Sequence, residues 1–190
     1  MMIVADSGNS GDAGPRWKGN TMMKTMRFFS LLSTAVILGA GLAHLFALPN
    51  KIHLPREDYL TVQQIYRGWA LLGIVLVLAL VSTSIATVIV RRKPRAFALT
   101  LIALLCLAGS LVVFFAFTYP ANQQTQNWTV LPANWEELRS RWEYSHATGS
   151  ILYLVALSAL IWSVLASDEP ADLRHDAAGV AHSEREAVRA

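Results

Sequence analysis

At about 100° per residue on a helix, Trp135, Arg139, Trp142, His146, Gly149 and Tyr153 fall within about 80° of one another. Glu143 borders that face, four residues after Arg139 and three before His146. One stripe therefore offers an imidazole and a carboxylate for proton transfer or cation ligation, a guanidinium for an anion, and two indoles for a flat apolar ring. A second imidazole, His44, lies far upstream inside an apolar run, where an ionisable group is costly and needs a partner. Gln63, Tyr66 and Trp69 form a polar, aromatic approach to another run, and Asn122 closes a third.

Two histidines and a carboxylate are also the ligand type of mononuclear non-haem iron sites, so His44, Glu143 and His146 make an alternative set for a transition metal. Di-iron bundles share the Glu-x-x-His spacing but need a second such motif and more carboxylates, and the apolar runs hold neither. Arg139, one turn from Glu143, competes for the carboxylate and repels a cation. The expectation is a site without metal or cofactor, in which Arg139 pairs with Glu143 and a histidine stays neutral as a base. The same residues also suit an interfacial aromatic belt carrying an i,i+4 ion pair, with His44 hydrogen-bonded between helices.

The elements that must position these residues read as membrane spans. Of 190 residues, 54% are hydrophobic and 15% charged, against about 25% charged in typical globular chains. Gly68 to Val90 and Ala96 to Tyr119 contain no charged residue, and each is long enough to cross a hydrocarbon core of about 30 Å. Phe28 to Leu48 is interrupted only by His44, and Ala147 to Ala166 continues upstream into Trp142, Glu143 and His146. Lys24, Arg27 and Gly41-Leu42-Ala43 resemble a cleaved signal peptide, but the run extends through Leu48, longer than such segments usually are, and is read as retained.

The fold class expected is all-α, a four-helix transmembrane bundle with a polar, aromatic outer loop region and a long fourth helix. Residues 1-26 read as a disordered N-terminal segment, 27-167 as the membrane domain with spans near 28-48, 68-90, 96-119 and 142-166, and 168-190 as a disordered tail. The fourth helix should run continuously from Trp135, with Asn134 as N-cap and Glu137 completing a capping box. Gly39, Ala40, Gly41 and Ala43 allow another helix to approach closely around His44. Eleven basic residues fall on one side of the four spans and five on the other, which predicts cytoplasmic termini and places the polar loops outside. The sixteen basic residues are scattered between apolar runs, a distribution that argues against nucleic acid as a partner. A single cysteine, Cys106, excludes an intramolecular disulfide and a cysteine zinc site.

Four stretches, taken in order, resemble a known family. They are Ala43-His44-Leu45-Phe46-Ala47-Leu48-Pro49-Asn50-Lys51, Gln63 with Tyr66-Arg67-Gly68-Trp69, Asn122, and Trp135-x-x-x-Arg139-x-x-Trp142-x-x-x-His146 with Glu143. They are similar to the anthrone oxygenase-like family of small four-helix membrane proteins, over a stretch from Phe28 to Ala166. Fungal relatives oxidise an anthrone to an anthraquinone with dioxygen, some without metal or organic cofactor, whereas many bacterial members have no assigned activity. The resemblance implies a bacterial inner-membrane protein, with His44, Asn122, Trp135, Arg139, Trp142, Glu143 and His146 at the matching positions. For such chemistry His146 or His44 is the candidate base, oriented by Glu143. Arg139 or Asn122 would hold an oxyanion, and Trp135 and Trp142, with Gln63, Tyr66 and Trp69, would take a planar ring. The expected partners are membrane lipids and a small apolar aromatic ligand. Because fold does not fix function, the alternative is a non-catalytic membrane protein that holds a lipid, an apolar ligand or a partner protein.

Overall fold

The computed structural model describes the backbone of residues 16–166 and the side chains of residues 21–166. Along the chain, α1 (Arg16–Lys51) is followed by the short α2 (Arg56–Gln63) and two 3-10 turns, Gln64–Tyr66 and Trp69–Leu71. Then come α3 (Leu72–Ile89), α4 (Pro94–Val113), a π-helical turn at Phe114–Thr118, α5 (Tyr119–Gln124) and α6 (Trp135–Leu165). The four long helices form the expected bundle: α1 packs on α3 and α6, and α4 packs on the same two. There is no strand among the described residues. α1 begins within the segment expected as an N-terminal tail, and the calls on residues 1–15 and 167–190 lie outside the described residues.

Thr21–Lys51, Trp69–Ile89, Pro94–Gln124 and Trp135–Leu165 are long and apolar enough to cross a membrane. Their outward faces carry Leu32, Leu71, Ile74, Val77, Leu105, Val112, Ile151 and Trp162, all exposed. Water would not tolerate an apolar surface of that extent, so the chain is a multi-pass integral membrane protein whose outer face meets lipid.

The interior is lined by small and medium residues. Ile37, Leu76, Ala79, Ala103, Leu107, Ala156, Ala159 and Leu160 form one buried cluster between the helices. Several buried hydroxyls sit among them and return their protons to the preceding turn, as Thr87 does to the Thr83 carbonyl at 2.8 Å and Thr100 to that of Ala96 at 2.9 Å. A small side chain that satisfies itself locally lets backbones approach without an unmet polar group. Among the described glycines the tightest contact is at Gly41, where an added Cβ would lie 2.9 Å from Ser150 Oγ and 3.3 Å from its Cα. Ser150 Oγ donates to the Gly41 carbonyl at 2.7 Å, fastening α1 to α6.

Two local features depart from expectation. Asn134 makes no side-chain cap; its φ of −92° and ψ of 23° lie outside the extended region an N-cap side chain needs. The capping box therefore does not form, and Glu137 instead pairs with Arg141 at 2.7 Å on the exposed surface. The π turn at Phe114–Thr118 has no counterpart in the apolar pattern; it inserts one residue into the helical phase. At its last residue Thr118 Oγ1 meets Ser145 Oγ at 2.6 Å, and beyond it Asn122 reaches α6.

Candidate functional site

The site grows from the Gly41–Ser150 contact. His44 is one turn beyond Gly41 on α1 and His146 one turn before Ser150 on α6, so the close crossing brings the two imidazoles face to face. Their centroids are 4.2 Å apart and their planes 17° from parallel. Tyr66, Trp142 and Trp69 surround His44 with centroids at 4.3, 5.0 and 5.4 Å, and Trp142 lies 4.2 Å from His146. His44 is 5% exposed, and its Nδ1 has no hydrogen-bond partner.

Glu143, one turn before His146, is fully buried. Its partner corrects the expectation. The Lys51 ammonium, at the C-terminus of α1, lies 2.9 Å from Glu143 Oε1, and Tyr59 Oη donates to the same oxygen at 3.0 Å. Lys51 Nζ also donates to Tyr66 Oη at 2.9 Å and sits 4.7 and 5.0 Å from the Tyr66 and Trp142 ring centroids. Gln63 Nε2 donates to Tyr59 Oη, so α1, α2 and α6 are tied through one carboxylate oxygen. Burial, and after it the Glu143 carboxylate, pushes the Tyr59 phenol well above its ordinary range.

Arg139 is turned away. Its guanidinium donates to the Leu54 carbonyl at 2.8 Å and stacks over Trp135, 4.6 Å from the ring centroid, and over Tyr59 at 5.5 Å. The i,i+4 Arg139–Glu143 pair is thus replaced by a long-range pair. A buried ammonium with no other anion within reach gains more from the carboxylate than does a guanidinium that already has a carbonyl and two ring faces, even with its Nε left buried and unpaired. The amide oxygen of Asn122 is likewise engaged, for Oδ1 accepts Trp142 Nε1 at 2.9 Å and Trp128 Nε1 at 3.2 Å.

Trp128 is buried by an unusual turn. Gln126, Asn127 and Trp128 have φ of 49°, 57° and 62°, three consecutive left-handed residues without a glycine, at a cost of about 1 kcal/mol each. Asn127 N donates to the Asn122 carbonyl at 2.7 Å, and Gln64 Nε2 donates to the Trp128 carbonyl at 2.9 Å. These bonds, with the indole against Tyr59 and Trp142, hold the turn over the end of the bundle.

Among the described residues, no three His, Cys, Asp or Glu side chains are placed to hold a metal ion. The alternative set of His44, Glu143 and His146 does not converge. Stacked imidazoles aim their in-plane lone pairs side by side, whereas a metal needs them to meet at about 2 Å. Glu143 Oε1 is meanwhile taken by an ammonium and a phenol.

Of the sequence-derived candidates, the structure brings together His44, His146, Glu143, Gln63, Tyr66, Trp69 and Trp142. It gives Asn122 a scaffolding position and leaves Arg139 and Trp135 stacked on each other at the rim. Lys51, Tyr59 and Trp128 were missed. Lys51 had a signal, since seven residues after His44 is two turns along the same face. Tyr59 and Gln63 had only an i,i+4 spacing, and nothing local announced Trp128. Comparisons with protein-family models, curated proteins and solved structures give no match to this chain.

Proposed function

We propose that this membrane protein is an oxygenase of the anthrone oxygenase type, using the His44–His146 pair as proton acceptor for a planar hydroaromatic substrate. The observation that carries the reading is the stacked imidazole pair, walled by Tyr66, Trp69 and Trp142 and bordered by the Lys51–Glu143 pair. A neutral imidazole in an aromatic enclosure is suited to removing a proton from an acidic C–H beside a ring carbonyl. The resulting enolate is electron-rich enough to reduce dioxygen.

In the reaction, a histidine nitrogen takes one proton from the substrate CH2 carbon. The enolate passes electrons to dioxygen and a carbon–oxygen bond forms, giving a peroxide that recovers a proton. Loss of the remaining hydrogen on that carbon, as a proton, with cleavage of the O–O bond, leaves a carbonyl and releases water. One anthrone and one dioxygen thus yield one quinone and one water. The substrate supplies all four electrons, so the balance needs no further reductant.

The test is oxygen uptake by the purified protein in lipid nanodiscs with dithranol, a dihydroxyanthrone, corrected for its spontaneous oxidation. The expected result is uptake with quinone formed in equal amount, and a fall of about 100-fold or more on His146→Gln or His44→Gln. Uptake no faster than in empty nanodiscs would overturn the reading. A lipid or quinone retained through purification without turnover would then favour the binding protein.

A further inference from the structure

Lys51 is 3% exposed and carries three protons, of which one points to Glu143 Oε1 and one to Tyr66 Oη, each at 2.9 Å. The third is free for another acceptor. Tyr66 receives a hydrogen bond from Lys51 and so keeps its own hydroxyl proton to donate. Two donors with a proton to spare, one of them charged, therefore stand 2.9 Å apart. Tyr66 and Trp142 each contact both the ammonium and the histidine pair, which puts these donors beside the imidazoles.

Two adjacent donors in a buried layer are the arrangement that stabilises a negative oxygen, and low dielectric makes the charge count for more. The other groups facing them leave the cation under-compensated. Glu143 supplies one negative charge from α6. Arg139 supplies a second positive charge on the far side of Tyr59, and that phenol donates to Glu143 Oε1 and so competes with Lys51 for it. His44 and His146 add no negative charge, and the C-terminal carbonyls of α1 offer a partial one. The two residues expected to hold an oxyanion are placed otherwise: Asn122 is fixed through its Oδ1 by two indoles, and Arg139 is stacked over Trp135 and Tyr59 with one N–H on the Leu54 carbonyl.

We propose that Lys51 Nζ and Tyr66 Oη form an oxyanion-binding pair, so that the ligand of this site is held as an aromatic enolate or phenolate with its negative oxygen on these two donors. The inference rests on the oxygenase reading for the chemical class of the ligand. The proton leaves the ligand for an imidazole nitrogen of the histidine pair, and the charge left on oxygen is met by Lys51 and Tyr66. No electron transfer is involved at this stage.

Alizarin, a dihydroxyanthraquinone dye whose visible band moves to the red on ionisation, tests this directly. It is titrated with pH in nanodiscs of zwitterionic lipid, with and without the protein. The protein should shift the ionisation midpoint of the bound dye to lower pH by about one unit or more, a tenfold preference for phenolate. Lys51→Met should abolish that shift and Tyr66→Phe should reduce it, while Lys51→Arg should keep most of it. Because Lys51→Met strands a buried carboxylate, the paired variant K51M/E143Q, which removes both charges, is measured alongside and should also lose the shift. Binding of the dye with an unchanged midpoint, or a full shift retained in K51M/E143Q, would overturn the oxyanion pair while leaving the oxygenase reading intact. Failure of the dye to bind at all would overturn both.

Discussion

Glu143 joins α1, α2 and α6 through one oxygen, and its environment shows why its partner matters. Lys51 and Tyr59 both reach Oε1, while Oε2 is buried without a partner. Removing one member of a buried ion pair leaves the other charge stranded, which costs more than the pair contributes. Glu143→Leu should therefore destabilise the protein by about 3 kcal/mol or more, read as a lowered thermal midpoint in detergent. The same substitution paired with Lys51→Met should recover much of the loss, and no recovery would show that the ion pair is not what couples the two positions.

Tyr59 makes a separate prediction in pH. Its phenol is raised above the unfolded value of about 10, so the unfolded chain loses this proton first. The stability it contributes is fully present below that pH and is lost as pH rises beyond it. Ultraviolet titration should find Tyr59 among the tyrosines that resist ionisation until the protein unfolds. Tyr59→Phe should reduce the amplitude of that delayed step by one tyrosine and lessen alkaline unfolding; an unchanged amplitude in the variant would disprove the assignment.

The deciding contact at the level of helices is Gly41 against Ser150, because it sets how near α1 comes to α6 and hence whether His44 can stack on His146. A methyl group at Gly41 would press on Ser150 Oγ at 2.9 Å and on its Cα at 3.3 Å. Gly41→Ala should thus cost about 1–3 kcal/mol and separate the imidazoles, lowering both the thermal midpoint and oxygen uptake. Gly39, with nothing within 4 Å of an added Cβ, is the control, and Gly39→Ala should be close to neutral. Equal effects at the two positions would mean that the crossing does not depend on Gly41.

At the scale of the whole molecule, the acidic side chains among the described residues gather at one end. Among the described residues, Glu57, Asp58, Glu136, Glu137 and Glu143 all lie at the end that carries the site. Lys24, Arg27, Arg91, Arg92, Lys93 and Arg95 lie at the other, with no acidic residue among them. Basic loops are retained on the cytoplasmic side, so the expected topology has the Arg91–Arg95 turn inside and the histidine site toward the outer face. Phosphatase fused at Ala190 should be inactive and a fluorescent protein there should glow in a bacterial host. The reverse pattern would place the site on the cytoplasmic side.

The sequence by itself determined the four spans, because a run without charge long enough to cross hydrocarbon has few alternatives. It also determined the level at which polar groups gather, since His44, Glu143 and His146 sit near helix ends whose lengths follow from the runs. Even the close approach around His44 was legible in its glycines and alanines. Partner choice was not. Arg139 stands one turn from Glu143 along α6, and local spacing favoured that pair. The carboxylate went instead to Lys51, 92 positions away in the chain but 2.9 Å away in space. Electrostatic pairing in a low-dielectric interior is decided by which charge has no other recourse, and that depends on every neighbour at once. The π turn that brings Asn122 to Trp142 and the left-handed turn that buries Trp128 were hidden for the same reason. Each is a local cost that only the packed bundle offsets.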